Sequence, residues 1–393
     1  MALDVARARR DTPGAETVLH FNNAGAALMP SPVIDAVRNH IALEAAIGGY
    51  EAEARENEAI ERTYAACARL VGGEADEIAL VENATRAWDM AFYAFAARFR
   101  AGDRILTAEA EYASNVIAYL QMARRTGAVI EPVPSDADGA LDVDALAAMI
   151  DDRVKLIAVT QIPTNGGLVN PAAEIGAVAR GAGIPYILDA CQSAGQIPLD
   201  VGAIGCDVLS ATGRKYLRGP RGTGFLWMRR DLIEQLEPPF LDLHAAEWTG
   251  RDHYTMRADA KRFETWEGNV AAKIGLGVAV DYALGWGLDA IAERIEMLAD
   301  GLRDRLGGVA GVTVQDLGRR RCGIVGFTAE GRDSASIQSA LAARGINVSV
   351  SPRCYTRYDM DARGLESLVR ASVHYYNTED EVDRFCAAVE EIV

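Results

Sequence analysis

The chain has 393 residues, half of them apolar, and a net charge of −16, which is enough for two sizeable domains with a large core and excludes a mainly disordered protein. The acidity argues against a nucleic-acid or anionic-membrane partner, because both require a basic face. The opening "MALDVARARRDTPGAETVLHF" has basic residues without a following apolar segment, and no apolar run reaches bilayer length, so a soluble, cytoplasmic protein is expected. The six cysteines (Cys67, Cys191, Cys206, Cys322, Cys354 and Cys386) lack C-x-x-C spacing, and the five histidines show no H-x-x-x-H pair. Neither a disulfide framework nor a metal site is expected; five of the cysteines read as small apolar residues, with Cys354 set apart.

Between about residue 33 and residue 215, strand-like apolar runs alternate with helix-like segments. In chain order these are "EIALVE", a helix over "AWDMAFYAFAARF", "DRILTAE", a helix over "NVIAYLQMARRTG", "VIEPVP", a helix over "VDALAAMID", "VKLIAVTQI", a helix over "AAEIGAVARGAG", and "IPYILDA". This order predicts a mainly parallel sheet covered by helices, an α/β fold. Gly72, Gly73, Gly102, Gly127 and Gly183 fall where the helices should stop. Residues 237–263, "EPPFLDLHAAEWTGRDHYTMRADAKRF", break the pattern with prolines, aromatics and charge, as a crossing or active-site loop would. One long helical stretch is expected from "NVAAKIGLGVAVDYALGWG" to "LADGLRDRL". Shorter strands and helices then alternate to the last residue. The reading is a large domain over 21–279 and a smaller α+β domain over 280–393, against which residues 1–20 pack.

In a parallel sheet, the loops at the carboxyl ends of the strands gather on one side, where ligands collect. Asp189 ends the run "PYIL", and Lys215 follows "DVLSATGR" 26 residues later. The two residues form either a plain ion pair or part of a site. Thr212, Gly213, Arg214 and "GPRGTG" add a hydroxyl, a fixed cation and backbone N–H groups, which suit a phosphate. A lysine beside a phosphate site, with an aspartate to keep a ring nitrogen protonated, supplies the parts that pyridoxal 5′-phosphate requires.

With these motifs, the sequence resembles the fold-type I pyridoxal-phosphate enzymes of the class V aminotransferase superfamily over almost its whole length. That group holds cysteine desulfurases, isopenicillin-N-epimerase-like proteins and C–S lyases. The resemblance implies an aspartate aminotransferase-like fold, with Lys215 as the Schiff-base lysine, Asp189 at the pyridinium nitrogen, Gln192 at the phenolic oxygen and Thr212 beside the lysine. "ENATRAWDMA" resembles the phosphate-cradling turn, which places Ala84, Thr85 and Arg86 at the phosphate. "EAEYASNV" resembles the segment whose aromatic residue, here Tyr112, stacks on the ring. "IPTNGGLVNP" resembles the loop that contacts the cofactor oxygen, with Thr164 or Asn165 as the contact. Where the family has histidine before the lysine this chain has Arg214, which suits a phosphate but not a proton relay.

"VRASVHYYNTEDEVDRF" resembles the segment whose arginine, here Arg370, pairs with the substrate α-carboxylate; the alternative is an arginine salt-bridged at a strand edge. "HFNNAGAALMP" resembles the loop that closes over substrate, with Asn22, Asn23 and Gly25 as contacts. "RFETWEGN" resembles the segment that crosses a two-fold axis, implying a homodimer with Glu267 to Asn269 near the neighbour's phosphate. Cys354 lies sixteen residues before Arg370, close to the place of the desulfurase nucleophile. Ser349 replaces the expected arginine there and the histidines are missing, although Arg353 and Arg357 flank the thiol and a nearby cation favours a thiolate. Three readings remain open. The first is cleavage of a C–S bond in a cysteine-derived amino acid by a β-lyase or a desulfurase, with Lys215, Asp189 and Cys354 as catalytic residues. The others are a transaminase or epimerase acting on another amino acid, and a non-catalytic binding protein. "GPRGTG" lacks the G-x-G-x-x-G order of a dinucleotide site.

Overall fold

A computed structural model describes residues 3–393. After β1 (Leu19–His20) come seven strands: β2 (Ile78–Val81), β3 (Arg104–Ala108), β4 (Val129–Val133), β5 (Val154–Thr160), β6 (Tyr186–Asp189), β7 (Val208–Thr212) and β8 (Gly224–Met228). They form one sheet in the order β2-β8-β7-β6-β5-β3-β4. Strands β3 to β7 run parallel, whereas β8 lies antiparallel between β7 and β2. The switch follows from the connection, since residues 213–223 contain no crossover helix and the chain turns straight back.

Strands β2, β3, β6, β7 and β8 are buried at every residue, as expected with helices on both faces. Alternation along each strand sorts side chains into two cores. Leu106, Leu188 and Leu209 pack on one side, and their neighbours Ile105, Ile187 and Val208 on the other. Gly72, Gly127 and Gly183 are left-handed helix caps, as read from the sequence.

Two elements differ from expectation. Within 237–263 the chain forms an antiparallel hairpin, β9 (Ala246–Gly250) and β10 (His253–Met256). The aromatic and threonine residues that marked a loop favour strand, and Pro238 and Pro239 lie outside it. The long helical stretch is two helices, Val270–Trp286 and Leu288–Gly307, inclined by 80°. Gly287, with φ +84°, ends the first. No single helix among the described residues is long and apolar enough to cross a membrane.

The remaining strands are β11 (Val312–Val314), β12 (Ile324–Ala329), β13 (Ile346–Asn347), β14 (Ser349–Pro352) and β15 (Ser367–Ser372). Four of them make an antiparallel sheet, β11-β12-β15-β14, and β13 pairs in parallel with β1. Ala8, Phe21 and Ala24 pack into this sheet's apolar cluster beside Ile324 and Phe385. The rings of Phe21 and Phe385 stack at 4.6 Å.

One glycine decides how closely the loops after β6 and β7 approach. Gly195 has φ +85°, and a Cβ there would lie 2.6 Å from the Tyr216 carbonyl, next to Lys215. Gly195→Ala is expected to destabilise the protein by about 2–4 kcal/mol, from left-handed strain plus the clash, measured as a lowered unfolding midpoint.

Candidate active site

The parallel register sets Thr160, Asp189 and Ser210 side by side at the ends of β5, β6 and β7. Asp189 accepts a hydrogen bond from the Cys191 N–H at 2.8 Å and one from Asn115 Nδ2 at 3.1 Å. Burial pushes its carboxyl up, opposed by those two donors and by Lys215. Lys215, three residues beyond β7, lines the same cleft. Its ammonium is disfavoured, first by burial and also by Arg214 and Arg370, with Cys191 and Asp189 acting the other way. Asp189 and Lys215 thus share one crevice at the strand ends.

Two N-terminal helix turns face this cleft. In helix Ala84–Ala96, the Asn83 side chain caps Arg86 N at 2.9 Å. The N–H groups of Ala84 and Thr85 have no intrahelical acceptor, and both residues line the cleft. Tyr112 is the N-cap of helix Ala113–Thr126 and lines it too, half-buried. Thr212 ends β7, and its Oγ1 donates to Thr223 O at 3.2 Å. Gln192 donates to Ala24 O at 3.2 Å, and its Oε1 is buried without a partner.

Arg370 stands on β15, opposite Gly326 of β12 and Ser349 of β14. Its Nη1 donates to both Thr164 O and Thr164 Oγ1 at 2.8 Å, and Nε is buried without a partner. Among the described residues no carboxylate lies within salt-bridge distance of its guanidinium, so the strand-edge ion pair is not formed. Burial pulls its guanidinium down to about 10. The exposures are 4 % for Asp189, 9 % for Lys215 and 6 % for Arg370, so all three are withdrawn from water.

Several sequence-predicted residues lie elsewhere. Asn165 donates to Asp359 Oδ2 at 2.7 Å, leaving Thr164 as the member of that pair that lines the cleft. Asn23 is fully engaged, donating to Ser372 O at 2.7 Å and accepting from Tyr376 Oη at 2.5 Å. Gly25 accepts from the Arg214 guanidinium, which ties that arginine to the N-terminal loop; Asn22 Oδ1 is buried and unpartnered. The Arg86 guanidinium sits 4.9 Å above the Phe240 ring. Arg86, Glu267 and Asn269 line a neighbouring cleft with Gly222 and Thr223, and Asn269 caps helix Val270–Trp286. Cys354 is exposed, in a short turn after β14. The arginines flanking it are already paired, Arg353 with Asp361 and Glu366, and Arg357 with Asp361.

Three features escaped the sequence reading. Cys191, read as apolar filler, lines the cleft, where Lys215 and the thiol act on one another. Asn115, three residues after Tyr112 in the same quoted segment, holds Asp189. Arg218, with φ +59°, anchors the lysine turn. Its N–H donates to Lys215 O at 2.9 Å, and its buried guanidinium donates to Leu28 O and Tyr375 Oη beneath the Tyr376 ring.

The observed donors fit pyridoxal phosphate. A buried amine and carboxylate sit at adjacent strand ends, free helix N–H groups suit its phosphate, and Gln192 Oε1 and Arg370 Nε are unpartnered beside them. Such a site, on a helix-covered parallel sheet with a smaller α+β unit, defines a fold-type I pyridoxal-phosphate enzyme. The aminotransferase class-V family model matches residues 19–385. A probable cysteine desulfurase of Xylella fastidiosa is 33% identical over 379 residues, covering 95% of this chain and 90% of that protein. The apo structure of a cysteine desulfurase from Thermococcus onnurineus superposes with a TM-score of 0.92 at 26% identity, over 100% of this chain and 98% of that one. A cystine C–S lyase, solved with its product cysteine persulfide, shares the fold at a TM-score of 0.87 and 22% identity, over 97% of this chain and 99% of that one. The chain belongs to the class-V aminotransferase family, and it is a pyridoxal-phosphate-dependent enzyme.

Arg370→Ala is expected to raise KM for amino-acid substrates about 30-fold or more, as loss of a charge-assisted pair implies, with little change in cofactor content. Steady-state kinetics at constant cofactor occupancy check this; an unchanged KM removes Arg370 from the substrate site.

Proposed function

We propose that this enzyme cleaves the C–S bond of a cysteine-derived amino acid by β-elimination. The observation carrying an amino-acid substrate is Arg370, a buried guanidinium held through Nη1 by Thr164 of the cleft that Lys215 lines, with its Nε unpartnered. A ligand carboxylate completes that environment. The kinship with proteins named cysteine desulfurases favours a sulfur-bearing side chain.

When bound, pyridoxal phosphate supplies an electron sink for a carbanion at the substrate α-carbon. Lys215 would be the residue that holds it, and its Nζ, biased toward the neutral amine by burial, would serve as the base for the α-proton. Asp189, held by Cys191 N–H and Asn115, would keep the ring nitrogen protonated. The N–H groups of Ala84 and Thr85, with Thr212, would hold the phosphate, and Tyr112 and Gln192, which line the same cleft, would contact the ring and its phenolic oxygen. Arg370, steadied by Thr164, orients the α-carboxylate.

Elimination needs no enzyme thiol. The pairing of Arg353 and Arg357, the cations that flank Cys354 in sequence, with Asp361 and Glu366 supports that route. A second reading, desulfuration with Cys354 taking the sulfur, is favoured by the exposure of this cysteine and its distance in sequence from Arg370. We also propose a homodimer that seats Glu267 to Asn269 near the partner's phosphate, since the exposed Phe240, Leu243, Trp248 and Trp266 lie in the neighbouring segment. A cytoplasmic location and a division into 21–279 against 1–20 with 280–393 complete the proposal.

Incubation with cysteine, cystine and cysteine conjugates is expected to give pyruvate and ammonia in equal amounts, without a keto-acid acceptor. A new amino acid formed only when a keto acid is present supports transamination instead. Lys215→Ala is expected to abolish turnover, and borohydride reduction of the native enzyme should place the pyridoxyl group on Lys215 by peptide mapping.

Cys354→Ser is expected to retain pyruvate production within about twofold, a surface substitution of little energetic weight. Loss of sulfur release, with alanine as the native co-product, would establish the desulfurase reading.

A further inference from the structure

We infer that Glu111 is a positioning residue for the cofactor's ring nitrogen, acting through Asn115 on Asp189. The inference rests on the role of Asp189 proposed above. Asn115 Nδ2 carries two hydrogens and reaches two carboxylates, Glu111 Oε1 at 2.9 Å and Asp189 Oδ2 at 3.1 Å. Thr160 Oγ1 lies further off, at 3.4 Å. Of the two ends of an amide only the NH₂ end can donate to both carboxylates. Glu111 therefore holds Asn115 with the same end toward Asp189 that the Asp189 carboxylate itself requires.

Glu111 is itself immobilised. Its Oε2 accepts from Thr107 Oγ1 and Thr160 N, both at 3.0 Å, and its Oε1 from Tyr112 N at 2.7 Å and from the Thr160 hydroxyl. These donors come from β3, β5 and the N-cap of helix Ala113–Thr126, so three elements hold one carboxylate. All its partners donate, which is the arrangement that suits the anion. Glu111, Asn115 and Asp189 are all buried, so their geometry is set by one another and not by water.

Burial pushes the Glu111 carboxyl up to about 7, aided by the like charge of Asp189 and opposed by the hydrogen bonds from Thr160, Tyr112 and Asn115. Burial also pushes Asp189 up. The ionised form of Asp189 keeps a ring nitrogen protonated, and the Asn115 N–H stabilises that form. With Asn115 turned around, its carbonyl oxygen would face the Asp189 carboxylate and work against the ionised form. Glu111 touches neither cofactor nor substrate in this scheme, and its effect passes through two other side chains. The competing account is that Glu111 only ties strand ends together.

The test compares wild type, Glu111→Gln, Asn115→Ala and Asp189→Asn, each reconstituted with pyridoxal phosphate or with its N1-methyl analogue, whose ring nitrogen is permanently cationic. Glu111→Gln keeps the shape and removes the charge that orients Asn115. With the natural cofactor, its kcat is expected to fall about tenfold or more while KM changes less than about twofold. The ¹⁵N resonance of ring-labelled cofactor should move toward the unprotonated position, a readout independent of turnover. With the N1-methyl analogue, the ratio of variant to wild-type kcat should return to near one. An equal loss with both cofactors, or a ring-nitrogen resonance matching wild type, overturns the inference and leaves Glu111 a structural tie. Asp189→Asn separates the two levels of the argument. If it too leaves the ring nitrogen protonated, the assignment of Asp189 fails; if it shifts the resonance and Glu111→Gln does not, only the link through Glu111 fails. Should Glu111→Gln not fold, as judged by circular dichroism, Asn115→Ala gives the same two readouts with Glu111 in place.

Discussion

Burial of three ionisable side chains at one place is the constraint around which this molecule is arranged. Asp189, Lys215 and Arg370 are each shifted by burial against their charged forms, and an isolated charge in a protein interior is costly. A soft scaffold would let such groups turn outward. Here the parallel register fixes the ends of β6 and β7, and Thr164 grips Arg370 on the facing sheet. The charges stay inside because the backbone that carries them is buried on both faces. Anything anionic that binds the folded form between these groups adds its binding free energy to stability.

The sequence makes the large sheet readable because burial on both faces leaves long apolar runs with glycine at the helix ends, as at Gly127 and Gly183. Asp189 and Lys215 are readable for a related reason: polar residues closing such runs must lie at strand ends. Residues whose roles depend on distant partners are not readable in this way. The resemblance puts Arg86 at the phosphate, yet the Phe240 ring draws its guanidinium into the neighbouring cleft. Asn23 suits a substrate loop by position, but Ser372 and Tyr376 occupy its amide. Asn115 gives no local signal, because its meaning comes from an aspartate 74 residues later. The hairpin over 246–256 is mostly exposed on both faces, so it has no alternation to reveal it.

Arg218 shows the same logic in a residue outside the chemistry. Its positive φ carries a strain of the order of 1–2 kcal/mol for a non-glycine side chain. The guanidinium repays that by bonding Leu28 O, Tyr375 Oη and the Thr12 hydroxyl while lying over aromatic faces. The lysine turn is thereby pinned to segments both far before and far after it in the chain. Lys215 is held by the agreement of three remote parts of the sequence, and only secondarily by its own loop.

The parallel pairing of β1 with β13, together with the bond from Tyr376 to Asn23, joins residues up to 353 apart in sequence. During synthesis at about 5–20 residues per second, the segment around Asn23 leaves the ribosome some 20–70 seconds before its partners exist. The large sheet can close in that interval, since residues 78–228 are made first. Phe21 and Ala24 must meanwhile wait with their apolar surface uncovered. In a nascent chain, residues 19–24 therefore lack their native strand and ring partners until the segment around Ile346 to Phe385 has been made.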